Sequence, residues 1–308
     1  MINDAADNAF AAFAEGFAGG TPQLVSRELV ADTQTPVSAY LRLAAGSRNT
    51  FLLESVEGGE IRGRFSVIGL SPDLIWRCRG SVAEINRDPA NSGEFSADSR
   101  APIDSLRALM AESAMADTEN LPPMSAGLFG YFGYDMIRHI EAIPDANPAV
   151  IDTPDSMLVR PSLIAIFDRL KDSITFVVQV RPAEWNEPQA AWSHAQDRIA
   201  AALDALDAPM PPTEAGESTA PLPDPRSNME QGDFLTMVDA AKDYIRAGDI
   251  FQVVLSQRFS IPFHLPAINL YRSLRRLNPS PFLFFFDFDE LAIVGSSPEI
   301  LEIGRAHV

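Results

Sequence analysis

Residues 162–180 read SLIAIFDRLKDSITFVVQV, and this stretch decides the fold class. Two apolar runs rich in β-branched and aromatic residues, Leu163–Asp168 and Ile174–Val180, flank the polar connection Arg169–Asp172, the pattern of an antiparallel hairpin. Phe282–Phe288 (FLFFFDF) and Leu291–Val294 predict a second hairpin, turning at Asp289-Glu290. Asn49–Ser55 (NTFLLES), Gly63–Gly69 (GRFSVIG) and Leu74–Arg79 extend the strand pattern, with a turn at Gly58-Gly59. Gly127–Tyr134 (GLFGYFGY) alternates glycine with aromatics and predicts a bent strand where backbones approach closely. Asp249–Ile261 has a period of two, with Phe251, Val253 and Leu255 on one face and Gln252, Val254, Ser256 and Arg258 on the other. Helices are predicted after the Thr35-Pro36 cap, over Ile103–Met110, from Pro182 to about Leu206, over Phe234–Ile245 behind a capping box at Ser227–Glu230, and over about Leu265–Leu277. Hairpins and period-two strands interleaved with helices predict an α+β fold with antiparallel sheets.

The chain has 308 residues, 46% hydrophobic and 21% charged, enough for about two domains. Residues 1–24 read as a tail or weak amphipathic helix, 25–206 as a first region, and 227–302 as the start of a second. Between them, 207–226 (DAPMPPTEAGESTAPLPDPR) is a Pro-rich linker that cannot build a core. A net charge of -18 repels phosphate backbones and argues against nucleic acid as a partner. The two basic clusters, Arg272–Arg276 and Arg77–Arg79, read as solvated helix or strand faces. A dianionic substrate would need a local field from placed Arg, Lys or Mg²⁺. Cys78 is the single cysteine, so no internal disulfide is available, which fits a reducing cytoplasm; it reads as structural despite its two Arg neighbours. His139, His194, His264 and His307 have no metal-ligand spacing. No segment is apolar enough over some 20 residues to span a membrane, and Met1–Gly20 lacks the basic start of a signal peptide.

Four segments carry a resemblance. They are LLES (52–55) with GRFSVIG (63–69); GLFGYFGY (127–134) with Asp135; AGDIFQVVLSQR (247–258); and NPSPFL (278–283) with GSSPE (295–299). In this order the sequence resembles the anthranilate synthase component I family from about residue 25 to 302. The resemblance implies the sandwich arrangement of the antiparallel sheets. It also implies conversion of chorismate and ammonia to anthranilate and pyruvate, Mg²⁺ as cofactor, a glutamine amidotransferase partner that delivers the ammonia, and feedback by tryptophan. Carried over, Glu54 and Ser55 would hold the amino end of the inhibitor, while Pro281, Phe282 and Leu283 would pack its indole. Read without the family, Glu54-Ser55 is a carboxylate beside a hydroxyl that suits an ammonium group, or equally two solvated residues at a strand end.

Gln252 bears on reaction type. Related isochorismate and salicylate synthases carry a Lys at the corresponding strand position as the base that activates water. A neutral amide cannot act as that base, whereas ammonia is already a nucleophile, so Gln252 argues for an amine-adding member. Alternatives are aminodeoxychorismate synthase component I, or a non-catalytic tryptophan-binding piece. Ser297-Pro298-Glu299 is a family marker with no chemistry assigned. The last six residues, 303–308 (IGRAHV), read as the translation of a sequencing adapter. On that reading the magnesium ligands and most of the catalytic residues lie in a missing portion, strands 249–261 and 282–294 lose sheet partners, and the polypeptide is expected to be inactive and aggregation-prone.

Overall fold

The computed structural model describes residues 2–55, 63–115, 118–145, 149–212 and 223–298. In chain order its elements are α1 (Ile2–Ala18), β1 (Gln23–Val30), α2 (Pro36–Leu43), β2 (Thr50–Glu54), β3 (Phe65–Arg79), β4 (Val82–Asn86), β5 (Ser96–Ala97), α3 (Pro102–Ser113), β6 (Phe129–Phe132), β7 (Ser156–Asp168), β8 (Ser173–Val180), α4 (Pro188–Asp207), β9 (Arg226–Ser227), α5 (Gln231–Ala247), β10 (Phe259–Ser260), α6 (Ala267–Leu277), β11 (Phe282–Asp287) and β12 (Ala292–Ser297). Two compact units result, one of residues 1–212 with 267–308 and the other of residues 213–266.

The first unit is built on one antiparallel ten-stranded sheet, ordered β1-β8-β7-β3-β2-β11-β12, with β6 on β7 and β4 and β5 beyond β3. The predicted hairpins are there: Leu163 faces Val178 across β7 and β8, and Phe282 faces Ser297 across β11 and β12. Strands β3 and β7 are long because each serves two layers. Their register shifts between Pro72 and Leu74, where Pro72 faces Pro161 and neither ring can donate to the ladder. Beyond that irregularity the strands carry β6 and β4 over the opposite face, so that Phe129 of β6 stacks on Phe51 of β2 at 4.6 Å between centroids.

This folding-over explains a feature of β7 and β8 that alternation alone would miss, namely burial on both faces. Leu163, Ala165 and Phe167 join one core with Ile174, Phe176 and Val178, whereas Ile164, Ile166 and Val177 join the core between the sheet layers. Helix α4 covers the first core with Ala191, Ala195, Ile199, Ala202 and Leu206, a stripe at helical spacing. On the outer side of the second layer, Leu109 of α3 packs against Leu74, Trp76 and Cys78. The Trp76 indole N–H there donates to Ser105 Oγ at 3.0 Å. Gly130 in the aromatic-glycine run has a plain reason: a Cβ would lie 1.9 Å from the Met157 carbonyl oxygen. The close approach expected of that run is real.

The short helix after Thr35 opens with a reciprocal cap between Thr35 and Ser38. β1 was not foreseen, and the segment after Pro182 makes one 3₁₀ turn before α4 starts at Pro188. The turn expected at Gly58-Gly59 and the tail 303–308 lie outside the described residues.

The second unit differs most from expectation. α5 covers the predicted Phe234–Ile245 and ends at Gly248, left-handed at φ 82°. Ser227, however, belongs to β9, and α5 starts after Glu230 with no side-chain cap. The predicted strand 249–261 forms only at Phe259-Ser260, paired with Arg226-Ser227. Period two is necessary for a half-buried strand but does not supply a ladder. Asn228 bonds the Arg258 backbone, but 251–257 join no ladder, and Phe251 and Val254 are 94% and 81% exposed.

The segment 267–298, assigned from sequence to the second region, belongs to the first unit. β11 is not left without partners, because β2 takes its other side, Leu283 facing Glu54. Only β12 ends the sheet there, as an edge.

Candidate functional site

β2 is short, apolar from Phe51 through Leu53, and ends on Glu54 with Ser55 next after it. Its partners put Ser66 of β3 on one side of Glu54 and Leu283 of β11 on the other. The two segments singled out from sequence, LLES and PFL, are therefore neighbours in one sheet. Helix α6 lies over this end of the sheet and sends down Tyr271 and Arg275, four residues apart and so on one helix face. The Tyr271 hydroxyl donates to Glu54 Oε2 at 2.5 Å. Arg275 donates from Nε to Oε2 at 2.8 Å and from a terminal nitrogen to Oε1 at 3.0 Å, a bidentate fork.

Glu54 has a side chain only 3% exposed, and these three bonds are what let a carboxylate stay there. Burial, and then the negative Glu54 beside it, push the Tyr271 hydroxyl far above the ordinary phenol range, so it acts as a donor at any working pH. The bond to Glu54 in turn raises Arg275. Ser55 Oγ accepts from the Gly63 N–H at 3.0 Å.

Beside this cluster lies a cavity of about 400 Å³ whose lining includes Glu54, Ser55, Ser66, Arg275, Thr35 and Asp168. Asp168 is held below the usual carboxylate range by the Arg64 guanidinium, which forks onto both of its oxygens at 2.9 and 2.6 Å. Pro281, Phe282 and Leu283 do not line the cavity. Leu283, 2% exposed, is committed to the core with Tyr271 and Phe285, whereas Pro281 and Phe282 keep part of their surface. Sequence reading missed Tyr271 and Arg275. Arg275 belongs to the 272–276 cluster, and the solvated-face reading of that cluster fails for it because its guanidinium closes on Glu54.

Gln252 is in the second unit, exposed within the unpaired stretch 251–257. Cys78 is fully buried, and its thiol is pushed up to about 11 by burial and then by Asp155, so the structural reading of it stands. No group of three or more His, Cys, Asp or Glu among the described residues could hold a metal ion. Among the described residues no helix is long and apolar enough to cross a membrane.

The chain matches the family described as chorismate binding enzyme over residues 72–302. It belongs to that family. Among its relatives is the anthranilate synthase component 1 of Cereibacter sphaeroides, 47% identical over 293 residues, covering 95% of this chain and 59% of that protein. That of Pseudomonas putida is 38% identical over 279 residues, covering 89% and 55%. Among solved structures, anthranilate synthase component I from Streptococcus pneumoniae TIGR4 is similar with a TM-score of 0.63 and 29% identity, covering 88% of this chain and 57% of that one. The α+β architecture with a large antiparallel sheet is thus that of a chorismate-family protein. The chain spans just over half the length of these relatives.

Proposed function

We propose that this sequence belongs to the large subunit of an anthranilate synthase, which adds ammonia to chorismate and then eliminates pyruvate to leave anthranilate. The observation that carries the reading is the likeness to proteins of that name along nearly the whole chain, at up to 47% identity. On this reading a glutamine amidotransferase subunit supplies the ammonia, and the protein works in the cytoplasm. A neutral amide at Gln252, where water-adding relatives would need a base, suits an amine nucleophile. Magnesium would act on ligands outside the described residues, which hold no fitting cluster.

The cavity beside Glu54 is the regulatory part of the proposal. Tryptophan would bind there with its ammonium at Glu54 and Ser55, and its indole would have to extend past the cavity lining to meet Pro281 and Phe282. A volume of about 400 Å³ suits an amino acid with a large side chain. For the 308-residue chain itself we expect tryptophan binding without turnover, because 251–257, which carries Gln252, has no sheet around it. Calorimetry with tryptophan and with chorismate, beside a fluorescence assay for anthranilate with ammonium and Mg²⁺, tests this. Heat from tryptophan and no fluorescence are expected; silence toward tryptophan removes the regulatory site. Release of aminodeoxychorismate in that assay would move the assignment to the sister enzyme.

A further inference from the structure

Glu54 has about one acceptor site left, on Oε1. Oε2 accepts from Tyr271 and Arg275, and Oε1 accepts from Arg275. An ammonium group drawn to that remaining site meets the Arg275 cation beside it, so full contact with the carboxylate needs a donor to move, and the two donors differ in freedom. Tyr271 is 0% exposed and locked in the core, whereas the Arg275 side chain is 37% exposed and lines the cavity. Arg275 is the one that can leave.

We propose that an amino acid enters by inserting itself into the Glu54–Arg275 ion pair, so that its ammonium replaces Arg275 on Glu54 while its carboxylate becomes the new partner of the displaced guanidinium. This rests on the reading of the cavity as a tryptophan site and assigns Arg275 as the residue that recognises the α-carboxylate. Two physical arguments carry it. The ammonium and carboxylate of an amino acid sit on one carbon, so their receptors must be adjacent. Glu54 and Arg275 touch at 2.8 and 3.0 Å, and a small outward swing of the half-exposed guanidinium opens the gap. The exchange also leaves no buried charge alone at any stage, since one pair becomes two while Tyr271 keeps its hold on Glu54.

The other charged groups around the cavity fit less well. Arg64 and Asp168 are closed on each other in a bidentate pair. Asp172 carries the wrong sign for a carboxylate. Arg169, which has no carboxylate partner among the described residues, is the one rival, but its guanidinium bonds the Gly63 carbonyl at 3.4 Å and is not on Glu54. Because Arg275 sits in the last turn of α6, occupancy of the site would be felt as a loosening of that turn from β2.

The test compares tryptophan with tryptamine, which keeps the indole and ammonium but lacks the carboxylate. Binding of each is measured by calorimetry to the wild type, Arg275→Gln, Arg275→Lys and Arg169→Gln. Loss of one charge-assisted contact predicts that Arg275→Gln weakens tryptophan by about tenfold or more. Tryptamine should bind that variant as well as or better than it binds wild type, because its competitor for Glu54 is gone. Arg275→Lys, which keeps the charge and protects the fold, should still prefer tryptophan. Equal weakening of both ligands, no change in either, or the selective loss appearing in Arg169→Gln instead would each overturn the insertion. A wild type that binds tryptamine and tryptophan alike would overturn it too. A wild type deaf to tryptophan would bring down the tryptophan site itself.

Discussion

Replacing Asp73 by Asn should destabilise the first unit far more than its place near a strand irregularity suggests. Asp73 sits at the register shift of β3, and its two oxygens accept from different arginines, Arg160 Nε at 2.7 Å and Arg181 at 3.2 Å. The side chains of Arg160 and Arg181 are 5% and 10% exposed, so neither cation can turn to water when the carboxylate is lost. Arg160 would keep Glu112 at 3.1 Å, and Arg181 would keep the Gln179 side-chain oxygen at 3.0 Å. Arg181 already has an unpartnered Nε, and burial and then Arg160 pull its pKa down. Breaking a buried ion pair from one side costs about 3–5 kcal/mol. Asp73 is 26% exposed, and an amide keeps one acceptor, so the expected loss is lower, about 2–4 kcal/mol. Thermal unfolding followed by circular dichroism should show a midpoint lower by about 4–10 °C. Asp152→Asn is the matched control: Asp152 also pairs with an arginine, Arg79 at 2.8 Å, but is 98% exposed, and should stay within ~0.5 kcal/mol of wild type. If Asp73→Asn melts with the wild type, the buried network contributes nothing to stability and the reasoning fails.

Gly130→Ala should lower stability by about 1–3 kcal/mol or more, because its Cβ would meet the Met157 backbone, which cannot swing aside. Gly93→Ala, where a Cβ meets nothing, should leave the urea midpoint in place. Glu112 is held down to about 2, chiefly by its bonds to Arg87. Its contribution is therefore complete above the ordinary carboxylate value and drains away as pH falls toward 2. Glu112→Gln should flatten the acid side of the stability–pH curve relative to wild type while lowering the neutral plateau, and an unchanged acid limb would contradict this.

Local pattern was enough for elements that make their own case. The 163–180 and 282–294 hairpins each carry two apolar runs about a polar turn, the helix after Thr35 carries its own cap, and each appears where expected. Asp249–Ile261 carries the same alternation but depends on neighbours that the described chain does not provide, so its pattern alone did not make a strand. Burial of β7 on both faces was hidden for the related reason that it follows from β6 crossing over, a tertiary event.

At the site, Glu54 and Ser55 were legible only through the family resemblance, because a carboxylate at a strand end has an ordinary solvated reading. Tyr271 and Arg275 were not legible at all, since nothing local ties them to a residue more than two hundred positions earlier. Unpaired Phe251 and Val254 agree with the expectation of exposed pairing surface in the second unit, though by non-formation of the strand rather than by an open edge.

The closure of β2 by β11 also has a consequence during synthesis. Glu54 and Arg275 are 221 residues apart along the chain. At ribosomal speeds, roughly ten to forty seconds separate their emergence. Throughout that interval the nascent sheet shows a bare flank at Leu52 and Leu53 and an acid with no counter-ion. The newborn amino-terminal half should therefore engage chaperones until its late strand arrives.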